Sequence, residues 1–260
     1  MGSELSTLSL DHSIVRLQHL TDEQVRSYKD EGYLLIPDLI SQKSATALRR
    51  EVLDIMRVIG EETSKLRQSN QYLKGSGLDA LINSPHLRAI TERLMGGLSS
   101  VYLPFTAVKS TGGGRFHFHQ DNQYTRFDGP GINLWVALQE INLENGCLQV
   151  VPRSHLQGTL EAVESGDDDT HKKITWEPSD FVPIKMQPGD GIAFSRLTVH
   201  GSGPNTTSEP RVGYAIQFHH NNVRALIDGE WRLLVEHPRW STAPVREIVA
   251  PRGNEMLDGH

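Results

Sequence analysis

Only one cysteine, Cys147, occurs in 260 residues. No intramolecular disulfide can form, and a reducing, cytoplasmic setting is expected. Long apolar runs are missing too. None approaches the roughly 20 residues a helix needs to cross a bilayer, so no membrane partner is expected. The N-terminal stretch lacks an extended apolar core and carries Glu4 and Asp11, so no secretory signal is expected there. Runs of Lys and Arg are absent, and the formal charge is −6 with His neutral. That balance argues against nucleic acid as a partner, because nucleic acid demands a concentrated basic surface.

What is present is the composition of an ordinary globular protein, with 37% hydrophobic and 22% charged residues. The length suits one domain, 1–260, with a helical part over about 20–97 and a β core over about 101–219. Thr21 and Gln24 form a capping box ahead of a first helix, and Gly32 stops it. Tyr33–Ile36 reads as a short strand. A helix from about Ser44 to Ile59 places Ala45, Leu48, Val52, Ile55 and Ile59 on one face, with Gly60 as its stop. Ser84-Pro85 opens another helix that ends at Gly96-Gly97. Beyond Val101 the pattern changes to short β-like segments: 101–109, 115–124, 132–143, 147–151, 181–186, 191–196 and 211–219. Turn residues separate them, and Gly112-Gly113-Gly114 reads as a hairpin turn. Such a series predicts a mainly β protein, a barrel or jelly roll, carrying N-terminal helices. The stretch 156–180, with Asp167-Asp168-Asp169, reads as a polar insertion.

The densest group of possible metal ligands is Phe116-His117-Phe118-His119-Gln120-Asp121-Asn122-Gln123. In a strand, alternate side chains share a face. His117, His119, Asp121 and Gln123 would then point one way, into a barrel interior or mouth. A second imidazole would complete the 2-His-1-carboxylate face that suits non-haem Fe(II) and leaves coordination positions open. Twelve histidines are available, so counting does not choose. His200 is the best placed, after a strand-like segment and before the Gly-rich turn 201–203. Arg211 then opens the next strand, where a guanidinium can clamp a carboxylate through two parallel hydrogen bonds. His117 and Gln123, on the ligand face, are candidate substrate contacts. Two other readings use the same residues. One is a cupin-like hydrolase or isomerase with another metal; the other is a non-catalytic small-molecule-binding barrel.

Several segments, taken in order, carry a resemblance. They are Tyr28-Lys29-Asp30-Glu31-Gly32-Tyr33-Leu34-Leu35-Ile36-Pro37, then His119-Gln120-Asp121, then 145–155 (NGCLQVVPRSH). Pro188-Gly189-Asp190 and His200-Gly201-Ser202-Gly203-Pro204-Asn205, leading to Arg211, complete the set. The chain resembles the phytanoyl-CoA dioxygenase family of iron- and 2-oxoglutarate-dependent oxygenases, in pieces from about residue 22 to residue 219. The resemblance implies a double-stranded β-helix (a cupin-like jelly roll) and Fe(II), 2-oxoglutarate and O2 as cofactor and co-substrates. It implies His119, Asp121 and His200 as iron ligands and catalytic centre. Arg211 would bind the distal carboxylate of 2-oxoglutarate, assisted by Ser202, and Trp135 would line that site. The implied reaction is hydroxylation, or another oxidation begun by hydrogen abstraction, of a small-molecule metabolite or natural-product intermediate, with release of succinate and CO2. Related halogenases carry a small residue at the position of Asp121, so its presence favours hydroxylation. At Arg153 the family usually has Gly, which makes the conformation of that loop the point to examine.

Overall fold

The computed structural model describes residues 14–59, 75–166 and 171–234. Helix α1, Asp22–Glu31, starts as the sequence predicts. Thr21 Oγ1 accepts the Gln24 amide, and the Gln24 side chain accepts the Thr21 amide in return. Strand β1, Tyr33–Ile36, follows directly. Helix α2, Gln42–Ile59, begins where the Ser41 hydroxyl accepts the Ser44 amide. It buries Ala45, Leu48, Val52 and Met56. Met56 takes the place expected of Ile55, which is only partly buried, because steps of three, four and four keep closest to the helical period. The stop expected at Gly60 lies outside the described residues. Helices α3, Gly77–Ile82, and α4, Pro85–Met95, complete the layer, α4 with Ser84 as its cap and Gly96 as its stop. No helix among the described residues is long and apolar enough to cross a membrane.

The β part holds β2 (Ser99–Lys109), β3 (Phe116–His119), β4 (Gly131–Ala137), β5 (Leu148–Val150), β6 (Ala162–Glu164), β7 (Lys172–Ile174), β8 (Val182–Ile184), β9 (Gly191–Ser195), β10 (His200–Ser202), β11 (Arg211–His220), β12 (Arg224–Ile227) and β13 (Glu230–Leu233). A five-stranded sheet runs β1-β9-β4-β11-β2 and a four-stranded sheet runs β3-β10-β5-β8; two hairpins, β6-β7 and β12-β13, are appended. All the pairings are antiparallel. This is the expected double-stranded β-helix, mainly β with N-terminal helices.

Strand parity divides the large sheet. In β4, Ile132, Leu134 and Val136 join the helices in one core, as do Val212, Tyr214, Ile216 and Phe218 of β11. The alternate residues Trp135, Ala137 and Ala215 join Leu148, Val150, Ile184 and Met186 of the small-sheet side in a second core. Asn133, Arg211, Gly213 and Gln217 share the parity of that inner set. The ladder between β11 and β2 slips once: Gln217 faces Leu103, but Phe218 faces Val101, leaving Tyr102 as the extra residue of a bulge.

Several boundaries differ from expectation for local reasons. Strand β3 ends at His119, and Asp121–Gln123 forms a single 3-10 turn. Strand β4 ends at Ala137, short of the expected 143. The glycine run 112–114 is not a hairpin turn, since β2 and β3 lie in different sheets. The polar insertion 156–180 contains the β6-β7 hairpin, and its acidic run lies outside the described residues.

The α1–β1 corner and the loop after β5 interlock. Arg153 N donates to Glu31 O at 2.9 Å, a His155 ring nitrogen bonds Lys29 O at 2.9 Å, and Thr198 Oγ1 donates to Gly32 O at 2.7 Å. A Cβ on Gly32, whose φ is 86°, would lie 2.4 Å from His155 Nδ1 and 2.7 Å from Thr198 Oγ1. Arg153 itself sits at φ 63°, the left-handed region, which explains why glycine suits that position. Gly32→Ala is expected to destabilise by about 2 kcal/mol or more, since strain and overlap add. Arg153→Gly should be neutral or stabilise by up to about 1 kcal/mol. Chemical denaturation of the two variants beside the wild type measures both.

Candidate metal and co-substrate site

Strands β3 and β10 pair antiparallel with His119 directly opposite His200. Their ring centroids are 4.3 Å apart. Each ring is oriented by the backbone two residues before it: His119 Nδ1 donates to His117 O at 2.8 Å, and His200 Nδ1 donates to Thr198 O at 2.9 Å. With both Nδ1 atoms committed as donors, the Nε2 atoms are the ring nitrogens left for a metal. Asp121 reaches the same point from the 3-10 turn, its Oδ1 lying 3.9 Å from His200 Nε2. One ligand atom from each of His119, Asp121 and His200 lies within 4.8 Å of the others, and all three residues are buried. Burial, and then the nearby His200, press His119 down to about 3, so it is neutral across the physiological range. For Asp121 burial is the largest single influence and acts upward. His200, Arg196, His119 and the Asn133 hydrogen bond together outweigh it and hold the carboxyl below its ordinary value. Two imidazole nitrogens and one carboxylate on one face are what non-haem Fe(II) requires.

A polar network supports the carboxylate. Asn133 Nδ2 donates to Asp121 Oδ2 at 3.1 Å. Arg196, fully buried, donates to the carbonyl oxygens of Asp121 and Thr125, each at 3.0 Å, and to Gln217 Oε1 at 2.9 Å. Its guanidinium lies 4.0 Å from the Phe127 ring centroid and 5.3 Å from that of Tyr102. The turn that carries Asp121 is therefore clamped at both ends.

A second group of cations lies along the inner face of β11 and β2. Arg211 donates to Gly146 O at 2.8 Å and to Ala107 O at 3.2 Å, while its Nε is buried without a hydrogen-bond partner. Burial lowers it, but only to about 10, so it stays charged. The guanidinium carbon is 5.4 Å from the Trp135 ring centroid, and that ring fills the space where a Cβ on Gly213 would stand, 2.0 Å away. Ser202 is buried on β10, opposite Leu148. Lys109 faces Arg211 across the ladder. A buried guanidinium with an unused donor, beside an aromatic ring, fits a carboxylate ligand.

The structure brings His119, Asp121 and His200 together, and it puts Arg211 and Trp135 in contact. His117 is half-buried and contributes the carbonyl that orients His119. Gln123 has left the strand for the turn, where its amide accepts from Gln120 N and donates to Leu160 O. Sequence reasoning missed Asn133, Arg196, Gln217 and Lys109. A usable signal existed for two of them: Asn133 shares the strand parity of Trp135 in β4, and Gln217 that of Arg211 in β11. His171 was missed as well; it precedes β7, and its ring centroid is 4.4 Å from that of Phe116, which is 4.8 Å from that of His119.

Comparison with known proteins bears on the fold and the family. EvdO2 of Micromonospora carbonacea var. aurantiaca, solved with 2-oxoglutarate, superposes with a TM-score of 0.66 at 20% identity, covering 78% of this chain and 92% of that one. At that identity the likeness concerns the fold. A methylphosphonate hydroxylase of Gimesia maris is 28% identical over 207 residues, covering 74% of this chain and 78% of its own. The phytanoyl-CoA dioxygenase domain-containing protein 1 homolog of Dictyostelium discoideum is 29% identical, covering 88% of this chain and 99% of its own. The family's sequence profile, described as phytanoyl-CoA dioxygenase, matches residues 28–213. The chain belongs to the phytanoyl-CoA dioxygenase family of iron- and 2-oxoglutarate-dependent oxygenases.

Proposed function

We propose that this protein hydroxylates a small-molecule metabolite, with His119, Asp121 and His200 holding Fe(II) and with Arg211, Ser202 and Trp135 seating 2-oxoglutarate. The observation that carries the reading is the convergence of two orientation-fixed imidazoles and one carboxylate within 4.8 Å, beside a buried Arg211 that has an unused donor. A hydrolase or isomerase on the same barrel would leave that guanidinium without a purpose.

When bound, Fe(II) would couple oxidative decarboxylation of 2-oxoglutarate, giving succinate and CO2, to hydrogen abstraction from the substrate. The chain's own part is positional. His117 O and Thr198 O hold the two rings, Asn133 holds the Asp121 carboxylate, Arg196 holds the backbone carbonyl of Asp121, and the two apolar cores exclude water. Arg211 anchors the far end of the keto diacid while Trp135 limits its sideways movement. The rim near His119 carries Phe116, Tyr124 and His171, with the Tyr124 and His119 ring centroids 5.7 Å apart. Aromatic and imidazole groups suit a compact polar substrate, and His117 is the candidate contact on the strand. The likeness to a methylphosphonate hydroxylase makes short alkylphosphonates the first compounds to assay for succinate release, with mass spectrometry of the product.

Asp121→Ala and His200→Ala should each abolish substrate-dependent succinate formation; full turnover in either would refute the ligand assignment. Anaerobic addition of Fe(II) and 2-oxoglutarate should give a weak visible charge-transfer band, which the rival readings do not expect. Arg211→Ala should raise the KM for 2-oxoglutarate at least tenfold, because a buried charge-assisted pair is lost; an unchanged KM removes Arg211 from that role. Asn133→Leu should weaken Fe(II) binding by about 10- to 100-fold while far-UV circular dichroism stays unchanged, and calorimetric titration with the metal decides it.

A further inference from the structure

The end of the barrel that holds Arg211 contains a second buried cation for which the proposed chemistry so far has no use. Lys109 is the last residue of β2 and lies opposite Arg211, the first residue of β11. It is 7% exposed, and Arg211 is 6% exposed. Nζ of Lys109 donates to Gly114 O at 2.7 Å and to Gly203 O at 2.6 Å. Both side chains also meet at one glycine: Arg211 donates to Gly146 O, and a Cβ on Gly146 would stand 3.1 Å from Lys109 Cδ. Among the described residues, no ion pair joins either cation to a carboxylate. Their partners are backbone carbonyls, which satisfy hydrogen bonds but do not cancel charge. Two desolvated cations facing one another are costly unless one gives up its proton or an anion arrives.

We propose that Lys109 is a second anchor for the distal carboxylate of the co-substrate, and that it takes up a proton as the diacid binds. The proposal rests on the 2-oxoglutarate reading above. A neutral amine has two hydrogens, which the carbonyls of Gly114 and Gly203 occupy. Protonation adds a third donor and a full charge beside Arg211, and only an incoming anion makes both favourable.

The surrounding groups are consistent with such a linkage. Burial first, and then Arg211, bring Lys109 down to about 7, with Cys147 acting the other way. Arg211, on the facing strand, remains charged to about 10. Burial raises the Cys147 thiol, so it stays uncharged. Glu144 and Glu209 belong to the loops packed around the Gly203–Asn205 turn, and both are exposed to solvent. Between pH 7 and 9 Lys109 is therefore the group at this end of the barrel that changes charge. The sign follows from linkage. The bound anion raises Lys109 above its value in the empty site, so binding consumes a proton and affinity falls as pH rises, by at most about tenfold per pH unit.

The test is calorimetric titration of 2-oxoglutarate into the Mn(II)-loaded protein, without O2, in two buffers of different ionisation enthalpy at pH 8. Wild type should take up between about half a proton and one proton per diacid bound, and its Kd should climb between pH 7 and 9. Lys109→Met should bind at least tenfold more weakly at pH 7 with no proton uptake. Lys109→Arg should bind without proton uptake and with a flat profile over the same range. Wild-type binding with no proton uptake overturns the proposal, and this measurement holds even if a variant fails to fold. A wild type that binds Mn(II) but no 2-oxoglutarate at all overturns the co-substrate reading instead, and the proposal with it.

Discussion

Two hydrogen bonds from imidazole to backbone govern the site. In β3 and again at the start of β10, a histidine turns its Nδ1 back to the carbonyl two residues earlier in its own chain. Each bond fixes one ring nitrogen as a donor and so defines the other as an acceptor. The antiparallel register then sets the two rings side by side, their centroids 4.3 Å apart and their planes inclined by 53°. Nothing else in the centre would be useful without this. A ring free to flip would offer a proton where an electron pair is needed. Backbone carbonyls are a robust means to this end: His117 O belongs to β3, and Thr198 O to the turn that leads into β10.

The carboxylate is organised differently. Asp121 sits just past the end of a strand, on a turn that would be loose if left alone. Its order comes from side chains drawn from three other segments: Asn133 of β4, Gln217 of β11 and Arg196 from the loop after β9. Arg196 works through packing as well as charge, held between Phe127 and Tyr102. Burying an arginine without a carboxylate directly on its guanidinium is unfavourable by itself. Here carbonyl and amide oxygens accept its protons, and the nearby Asp121 charge offsets part of the cost.

Much of this was legible in the sequence because the responsible signals are local. The Thr21–Gln24 box, the Ser84-Pro85 start and the left-handed stops at Gly32 and Gly96 are backbone chemistry within a few residues, and each stands where it was read. The ligands were legible because His119 and Asp121 are neighbours in the chain and because His200 precedes a recognisable turn. What was not legible depended on pairing. That Gln123 leaves the strand follows from the early end of β3, which strand propensity does not encode. That Arg196 belongs to the site follows from the approach of β4 and β11 to the loop after β9, and no spacing along the chain reports it. Lys109 and Gly213 gain their meaning only from what stands opposite them. Arg153, strained yet tolerated, shows the reverse case: a departure from the expected glycine that the fold absorbs without moving the loop that His155 and Ser154 secure.

The bulge between Gln217 and Phe218 has a consequence for how this chain can change length. It admits one surplus residue on β2 and places the Tyr102 ring against Arg196 and Phe127. Deleting that residue would restore a regular ladder and would look harmless in an alignment. It would also withdraw the aromatic wall on one side of the guanidinium that steadies the Asp121 turn. The irregularity in the sheet is thus a spacer: it lets the long strands keep their inside-outside alternation past the metal centre while lending one extra side chain to its support.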